Sequence, residues 1–388
     1  MGSKINFLLC LAGAIFLTYA ITGTGGIFVT ILLITALVFS LTIKIITSKT
    51  LSISVELSTE VINKGENFEA KVLIGKGTIL PTCFVDFELG FTENISSEEV
   101  PKYRVISAKR SGDVINIPLK AELSGGGSVY LKSVTLADFL GISKKKIPVG
   151  DEVRRVSILP RIPDTGTQAE IMKTVSESIT FEDSDEESDE TALGSTGVPG
   201  YDHRQYVEGD PLKKINWKMS SKRNILMVRL DEKITSSSQV FQLDYPEKEN
   251  ADREYYENAD LIIEASLAML NMMIRQGYES EYSFYLDGWQ TVDVKDYKSI
   301  TYLQEQLGKI RPYPLSFRFP DININQKNRP LVCFTTCDRK MTGEINELAE
   351  NVSGMFVVTK YSGIMGFSNN IWTVNKEFEF EKTQNGGV

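Results

Sequence analysis

Residues 5–43 form an apolar run without a charged side chain, and this run restricts the fold more than any other feature of the sequence. One membrane-spanning helix needs about 20 predominantly apolar residues, so the run is long enough for two. The sequence Gly-Thr-Gly-Gly at residues 23–26 interrupts it, as a tight turn would. The run therefore predicts a transmembrane helical hairpin within residues 1–48, with spans at residues 5–22 and 27–46.

The lysines beside the run predict its orientation in the cell membrane. Lys4 precedes the first span, Lys44 and Lys49 end or follow the second, and the turn carries no charge. Because Lys and Arg concentrate on the cytoplasmic side, this pattern predicts a two-pass protein with both termini and its soluble domains in the cytoplasm. A cleaved signal peptide ending near Gly23 is the alternative, but a second apolar run follows at once and no A-x-A site precedes the turn.

Composition excludes several classes of function. Of the 388 residues, 42% are hydrophobic and 24% are charged, which is the usage of an ordinary folded protein. The net charge of −9 argues against a nucleic-acid partner, since nucleic-acid binders usually carry a basic face. The chain contains 1 histidine, His203, so a metal site with two histidine ligands cannot form.

Residues 49–161 have the pattern of a domain made of short strands. Residues 52–57 and 67–72 alternate between apolar and polar side chains, which is typical of half-buried strands. Further short apolar runs lie at residues 83–89, 114–119 and 129–136. Gly, Pro, Asn and Ser clusters separate these runs, so the region predicts an antiparallel β-sandwich-like domain. The sequence Ser-Gly-Gly-Gly at residues 124–127 predicts a flexible turn between two strands.

Residues 162–199 differ in character from the segments on either side. Residues 182–190 contain seven acidic residues and two serines. Such a composition cannot bury enough apolar surface to order itself, so residues 162–199 are predicted to be an acidic flexible linker. An acidic peptide that docks on a partner is the functional alternative.

Residues 201–230 are the most specific part of the sequence. Asp210 is suited to cap a helix and Pro211 to begin it. Ile215 and Met219 are four residues apart and would share one face of that helix. The segment is strongly basic within an acidic protein, through Arg204, Lys214, Lys218, Lys222 and Arg229.

The same segment resembles the signature of a known family. The residues that carry the resemblance are Arg204, Tyr206, Gly209, Asp210, Pro211, Ile215, Trp217 and Lys218, followed by Leu226, Met227, Val228 and Arg229. This pattern is similar to that of the domain of unknown function numbered fifty-eight. Residues 134–141 also resemble that family's Asp-Pro-Phe-Gly-Leu segment, with Phe139 in the place where proline is usual.

The resemblance implies a membrane-anchored protein in which residues 200–388 comprise the signature motif and a von Willebrand A-like, Rossmann-type α/β domain. Relatives are typically encoded beside MoxR-type AAA+ ATPases, so it also implies such an ATPase as a cytoplasmic partner. The molecular activity of the family is unsettled. The signature residues then form either a partner-binding site or a structural joint between domains, and both interpretations stay open.

The pattern after the signature supports an α/β domain. A strand is predicted at residues 240–244 and a helix at residues 260–275, apolar on most faces as a helix packed on a sheet would be. Further strands are predicted at residues 281–286, 330–336 and 355–359, and further helices at residues 297–309 and 341–350. Alternating strands and helices predict a doubly wound sheet.

A divalent metal site is the one cofactor that this domain suggests. Domains of the implied type often hold a cation through Asp-x-Ser-x-Ser after the first strand, and oxygen ligands suit Mg²⁺. Here Asp244 is present but both serines are missing, and only Thr336 and Asp338 at another strand end offer further oxygens. These residues are weak metal candidates, and capping or turn roles explain them equally. No nucleotide-binding glycine loop and no G-x-S-x-G elbow is present.

Two hypotheses about function follow. The first is a non-catalytic, membrane-anchored scaffold or adaptor that docks a cytoplasmic protein partner, with Trp217 as either a binding hot spot or a core residue. The alternative is a divalent-metal-dependent ligand binder, or a cryptic enzyme, at the strand ends near Asp244 and Asp338. The adaptor hypothesis is favoured because no complete catalytic or metal-binding constellation is present in the sequence.

Overall fold

The computed structural model describes residues 2–20, 24–77, 82–98, 100–107, 112–150, 152–166, 171, 198–206, 215–223, 225–232, 239–314, 331–336, 355–360 and 371–382. In these residues two N-terminal helices precede a β-rich body that contains several sheets. We name three parts of this body: the β-domain (residues 51–159), the signature unit (residues 198–232) and the α/β unit (residues 239–382).

The two N-terminal helices are α1 (Gly2–Ala20) and α2 (Thr24–Thr50). Among the described residues, one helical segment, Gly25–Thr50, is long and apolar enough to cross a membrane, with a mean hydropathy of 2.5. Lys4–Ala20 is a shorter apolar helix. The helices touch where Gly26 faces Thr18, because a Cβ on Gly26 would lie 2.7 Å from the Thr18 Cα.

The β-domain contains two sheets. The strands of the first sheet, in spatial order, are β1 (Leu51–Leu57), β3 (Asn67–Lys76), β7 (Asp113–Ala121) and β5 (Ile95–Ser96). The second sheet has the order β2 (Val61–Asn63), β10 (Val153–Leu159), β8 (Gly125–Ala137), β4 (Phe84–Phe91) and β6 (Lys102–Val105), with β9 (Lys144–Ile147) also paired to β8. All described pairs in the domain are antiparallel except β2 with β10, which is parallel.

One apolar core lies between these sheets. In β3, Phe68, Ala70, Val72 and Ile74 are buried and alternate with more exposed residues, as the sequence pattern predicts for a strand with one buried face. They belong to one cluster with side chains of β4, β8 and β10. The predicted strands of this region lie in β1, β3, β4, β7 and β8.

The glycine run at residues 124–127 is not a flexible turn, as the sequence suggested, but the start of strand β8. Gly125 has a φ of +105°, which favours glycine. A Cβ on Gly126 would lie 2.6 Å from the carbonyl oxygen of Lys309, and the Gly126 N–H donates to the carbonyl of Ile310 at 2.8 Å. The glycines are therefore needed because another part of the backbone packs directly on this strand.

The C-terminal end of α2 is buried in the β-domain. Ile43 is 2% exposed and belongs to the β-domain core. Lys44 is also buried, and its ammonium donates to the hydroxyl of Ser143. Asp138, fully buried, accepts from the Ser143 N–H at 2.9 Å and from the Ser40 hydroxyl at 3.5 Å. The last turns of the apolar helix thus pack on protein, and α2 runs directly into β1 without a linker.

The α/β unit contains a mixed sheet of seven strands. In spatial order these are β15 (Trp289–Val294), β14 (Ser280–Tyr285), β13 (Gln239–Asp244), β16 (Leu331–Thr335), β17 (Met355–Thr359), β18 (Ile371–Val374) and β19 (Phe380–Lys382). The five central strands are parallel, and β15 and β19 are antiparallel edges. The signature unit contributes β11 (Val198–Gln205), α3 (Trp217–Arg223) and β12 (Met227–Glu232), with β11 and β12 forming a separate two-stranded sheet.

Two further helices pack on the seven-stranded sheet. Helix α4 (Arg253–Arg275) begins earlier than the predicted residue 260, because Asp252 caps it by accepting from the Tyr255 N–H at 3.0 Å. Asp296 caps helix α5 (Tyr297–Leu307), and together with Ser299 it forms a capping box. The helix predicted at residues 341–350 and most of the linker predicted at residues 162–199 lie outside the described residues.

We expect Ile43→Ala to destabilise the β-domain by about 2–4 kcal/mol, because it removes a side chain from that core and leaves a cavity. Ile45→Ala is the matched control, since Ile45 lies on the same helix and is 54% exposed. Urea denaturation of the full-length protein in detergent measures both effects. Equal losses of stability in the two variants would contradict the buried position of Ile43.

Candidate functional site

The signature unit is held together by hydrogen bonds around α3. The Asn216 N–H donates to the Met227 carbonyl at 2.9 Å, and the Asn216 side chain caps α3 by accepting from the Met219 N–H at 3.1 Å. Ser220 is buried, and its hydroxyl donates to the Asn216 carbonyl at 2.7 Å and accepts from the Met227 N–H at 2.8 Å. This network fixes α3 against β12.

The predicted start of the signature helix at Pro211 lies outside the described residues, whereas Ile215, within the predicted helix, is described. A helix from Pro211 would place Ile215 and Met219 on one helical face, but Ile215 forms a β-bridge with Val228 and is buried at 6% exposure. The extended Ile215 and the cap at Asn216 put the first residue of α3 at Trp217. Helix propensity could not show that Ile215 is extended, because its bridge partner, Val228, lies beyond α3 in the sequence.

Trp217 lies on the surface of the unit rather than in its core. Its side chain is 63% exposed. Three cationic side chains of α3, Lys218, Lys222 and Arg223, are exposed as well. We call Trp217 and these three residues the α3 surface. Of the two sequence interpretations of Trp217, the structure favours the exposed one, since a core tryptophan would be enclosed.

The structure places the other signature residues only in part. Tyr206 is half-buried, and its N–H donates to the Leu226 carbonyl at 2.8 Å. Arg204 pairs with Val228 and Arg229 with His203 in the β11–β12 register, while the side chains of Arg204 and Arg229 are not described. Gly209, Asp210 and Pro211 lie outside the described residues.

The metal candidates belong to the point where the strand order of the large sheet reverses. After β13 the chain passes through α4 to β14 on one side, and after α5 it enters β16 on the other side of β13. Ligands of open α/β sheets bind at the carboxyl ends of such strands. Asp244 ends β13, and Thr335 ends β16 with Thr336 directly after it.

The oxygens of Asp244 are engaged by neighbouring side chains. Asp244 is fully buried, and its carboxylate accepts from the hydroxyl of Tyr313 and, at 2.7 Å, from that of Thr335. The N–H of Thr336 donates to the Asp244 carbonyl at 3.0 Å. Asp338 lies outside the described residues, and within the described part of the chain no three His, Cys, Asp or Glu side chains form a metal-binding group.

An ion cluster joins the β-domain to the α/β unit. Lys64, in the turn after β2, reaches Asp260 of α4 at 2.5 Å and Glu264, one helical turn further, at 2.9 Å. The same two carboxylates accept from backbone N–H groups, Asp260 from Ser124 at 2.8 Å and Glu264 from Arg161 at 3.0 Å. Helix α4 is buried on most faces because the sheet covers one side and the β-domain covers another.

The electrostatics of this cluster are unbalanced, since one ammonium serves two buried carboxylates. Burial, followed by the charge of Asp260, raises the pKa of Glu264 above its ordinary value, although Lys64 lowers it. The short distance between Lys64 and Glu264 indicates an ion pair, whereas the raised pKa of Glu264 favours the protonated form of its carboxyl group. Both follow from the same arrangement, because Lys64 cannot fully compensate a second negative charge in a buried site.

Further bonds extend the junction along both units. The Ile158 N–H donates to the Gly308 carbonyl at 3.1 Å, and Gln304 donates to the Pro160 carbonyl at 2.7 Å. Arg275 binds both oxygens of Asp164, at 2.6 and 2.7 Å, so residues 162–164 are fixed on α4 at the start of the predicted linker. The two units therefore meet over a broad and specific contact.

An open cleft of about 740 Å³ lies beside this junction; we call it the junction cleft. The end of β4, the turn after it and β8 form one wall, and the loop between β13 and α4 forms the other. The aromatic lining comprises Phe91, Tyr130, Tyr255 and Tyr256, and the charged lining comprises Glu93, Glu247, Glu249, Lys248 and Arg311.

Sequence reasoning missed both the ion cluster and the cleft. Lys64, Asp260 and Arg311 are unremarkable in the sequence because charged residues are normally solvated. One signal was available: Asp260 and Glu264 are four residues apart and share a helical face within an otherwise apolar helix. Two carboxylates on one face of a buried helix require a partner, but only the fold shows that the partner is Lys64.

We expect Lys64→Met to destabilise the folded protein by about 3 kcal/mol, because it leaves two buried carboxylates without a cation. Lys132→Met is the control, since Lys132 is 61% exposed in its pair with Glu88 and solvent screens such a pair, so its loss should cost far less. Urea denaturation of the full-length protein at neutral pH compares them. Losses of equal size would show that the cluster is not buried as described.

Glu264→Gln is expected to leave stability at neutral pH unchanged or slightly higher. A carboxyl whose pKa is raised on folding gives its full stabilisation at a pH below its pKa in the unfolded chain, ordinarily 4.5. That stabilisation is lost as the pH rises through the pKa in the folded protein. The variant should therefore flatten the dependence of the unfolding free energy on pH between the unfolded and the folded pKa of Glu264. Glu305→Gln, at an exposed position of α5, serves as control, and a neutral-pH loss as large as that of Lys64→Met would overturn the assignment.

No protein-family model and no curated protein matches this chain. A cohesin module of a family 33 glycoside hydrolase from Clostridium perfringens is similar at 14% identity and a TM-score of 0.21, covering 28% of this chain and 96% of the module. A type II cohesin domain from the cellulosome of Acetivibrio cellulolyticus is similar at 11% identity and a TM-score of 0.21, over 28% of this chain and 95% of that one.

Native α-2-macroglobulin from Escherichia coli is similar at 16% identity and a TM-score of 0.23. This likeness covers 29% of the present chain and only 7% of the macroglobulin. Likenesses as weak as these three support no conclusion about function.

Proposed function

We propose that this protein is a non-catalytic, membrane-anchored adaptor that docks an acidic segment of a cytoplasmic protein partner on the α3 surface. The observation that carries the proposal is Trp217, which is 63% exposed and lies on the same short helix as three exposed cations. Tryptophan is enriched among the residues that dominate binding energy at interfaces.

The charge of the α3 surface supports an acidic partner. The whole protein has a net charge of −9, so a local group of Lys218, Lys222 and Arg223 inverts the sign of its surroundings. Opposite charges on a partner would steer its approach, while the indole supplies apolar area that excludes water from the contact. Nucleic acid is not proposed as the partner, because the cationic group is small and the rest of the protein is acidic.

The anchor in this proposal is a two-pass hairpin formed by α1 and α2 in the lipid of the cell membrane. The close approach of Gly26 to Thr18 supports such a hairpin, since small residues let helices pack tightly in lipid. With Lys4, Lys44 and Lys49 on the cytoplasmic side, both termini and the soluble domains lie in the cytoplasm. The adaptor would thus hold its partner at the inner face of the membrane.

Membership of the domain-of-unknown-function family fifty-eight is part of the proposal. In that case the α/β unit is a von Willebrand A-like domain, and a MoxR-type AAA+ ATPase is the expected partner. The parallel centre of its sheet and the reversal of strand order at β13 support this interpretation. The ordered contacts around Asn216 and Ser220 support a signature that presents Trp217 on a fixed helix.

A divalent-metal-dependent ligand binder, or a cryptic enzyme, at the strand ends is the second candidate. The position of Asp244 and Thr336 at the reversal of strand order favours it. The hydrogen bonds that Tyr313 and Thr335 donate to Asp244 oppose it, because a cation would have to displace them.

Trp217→Ala should leave the protein folded in the membrane and reduce its cross-linking to the main cytoplasmic partner by roughly tenfold or more, the size expected for a hot spot. Tyr302→Ala is the matched control, since Tyr302 is 52% exposed on α5 and lies outside the α3 surface. In-cell cross-linking followed by mass spectrometry measures the effect. A partner that is retained equally in both variants would refute docking on Trp217.

Charge reversal tests the electrostatic part separately. Lys218→Glu combined with Lys222→Glu should reduce capture of the same partner and weaken its dependence on ionic strength. Lys376→Glu combined with Lys382→Glu changes the net charge equally at exposed positions of the α/β unit. Equal loss in both double variants would indicate a general effect of net charge rather than a site on α3.

The adaptor hypothesis predicts that millimolar Mg²⁺, Mn²⁺ or Ca²⁺ leaves the thermal midpoint of the full-length protein unchanged. A cation that binds the folded protein, at a free concentration of about 100 times its Kd, would stabilise the fold by about 2.7 kcal/mol. This corresponds to a rise of several degrees in the thermal midpoint. Differential scanning fluorimetry of parent and Thr336→Val distinguishes the cases. A rise that Thr336→Val abolishes would favour the metal-binding candidate.

A further inference from the structure

The junction cleft carries its charges at separate places. Glu93 and Glu247 lie beside Tyr256, whose pKa is raised first by burial and then by these two carboxylates. The cationic side of the cleft is at Arg311, whose pKa is lowered by burial and then by the neighbouring Arg155, with Asp287 opposing. Three carboxylates and two cations line the cleft, so its net charge is small although both signs of charge are present.

Arg311 is held in place without a carboxylate partner among the described residues. Its guanidinium donates to the Ser128 hydroxyl at 2.8 Å, and the β8–β10 register puts Arg155 opposite Ser128. A Cβ on Gly126 would lie 3.0 Å from the Arg311 Nε, so the missing side chain lets Arg311 cross the strand. Two neighbouring arginines and a hydroxyl form a prepared contact for a carboxylate.

Aromatic rings also line the cleft. The ring of Tyr130 lies on Gly90, where an added Cβ would come within 2.6 Å of it. Tyr255 is anchored by its hydroxyl, which donates to the Pro246 carbonyl, and Lys248 lies 5.5 Å from the centre of its ring. Tyr130 is 37% exposed and offers apolar surface, whereas Tyr255 is 3% exposed and its ring already carries the cation of Lys248.

We propose that the junction cleft binds an extended peptide segment that carries an acidic and a basic side chain, with the acidic group on Arg311 and the basic group between Glu93 and Glu247. The cleft is open to solvent and its volume of about 740 Å³ is ample for several residues of a peptide. A small-molecule site would enclose most of its ligand, whereas an open cleft admits a chain that enters and leaves. This site is separate from the α3 surface and does not depend on the adaptor proposal.

Selection from a library of random hexapeptides on the full-length protein in nanodiscs tests the proposal. We expect enrichment of sequences in which one acidic and one basic residue are separated by two or more positions. The enriched peptide, synthesised with a fluorophore, should bind Arg311→Gln and Glu93→Gln about fivefold more weakly each, as single exposed charge pairs do. Arg104→Gln and Glu305→Gln, at exposed positions away from the cleft, should bind it as the parent does.

A double-mutant cycle tests whether the acidic group of the peptide contacts Arg311, even if Arg311→Gln disturbs the junction. Replacing the peptide's acidic residue by its amide should weaken binding to the parent and have no further effect on Arg311→Gln. Inorganic phosphate and an all-acidic hexapeptide are the competitors that separate a peptide site from a simple anion site.

Three outcomes would overturn the proposal. The first is that no peptide is enriched on the parent protein relative to the Arg311→Gln, Glu93→Gln double variant. The second is equal binding of the enriched peptide to parent and both single variants. The third is displacement by the all-acidic hexapeptide or by phosphate as effective as that by the unlabelled peptide itself.

Discussion

The ion cluster of Lys64, Asp260 and Glu264 is the interaction on which the arrangement of the two large units depends. It lies between the β-domain and α4, and its carboxylates also bind the N–H groups of Ser124 and Arg161. A buried charge without a partner is strongly destabilising, so these groups are satisfied only when the units meet in this one orientation. An apolar contact of equal area would tolerate sliding, whereas this cluster does not.

The fixed orientation has consequences on both sides of the junction. It brings β8 against the segment after α5, which explains why glycine occupies position 126, and it leaves the junction cleft beside the contact. On the other side, the β-domain encloses the end of α2 around Ile43 and Lys44. Helix α2, the β-domain and the α/β unit are thus connected by packed contacts. An anchor of this kind would set the direction of these units relative to the membrane.

The two proposed binding surfaces use different physics. The α3 surface has an exposed Trp217 among cations, which suits a partner that supplies acidic residues and a pocket for the indole. The junction cleft is concave and lined by charges of both signs, so the ligand proposed for it carries both an acidic and a basic group. The Asp244 edge is the least available of the candidate sites, because neighbouring hydroxyl groups already satisfy its carboxylate.

Local patterns were sufficient for the elements whose residues alternate regularly. The period of two at residues 67–72 predicted β3, and the apolar run before residue 46 predicted the long helix α2. Ile215 was placed on a helical face with Met219, but it forms a β-bridge with Val228 before α3 begins. The glycines at residues 125–127 were taken for a turn, since only the folded chain shows what packs on them.

The sequence by itself determined which segments are apolar, which are extended and where the charges lie along the chain. It also marked residues 201–230 as unusual, through their basic character and the resemblance they carry. Only the tertiary structure decided that Lys64 pairs with carboxylates about two hundred residues away, that Trp217 is exposed and that Arg311 lies in a cleft. Periodicity reports the environment of a residue along its own element, whereas a site is made by elements distant in sequence, whose meeting depends on packing.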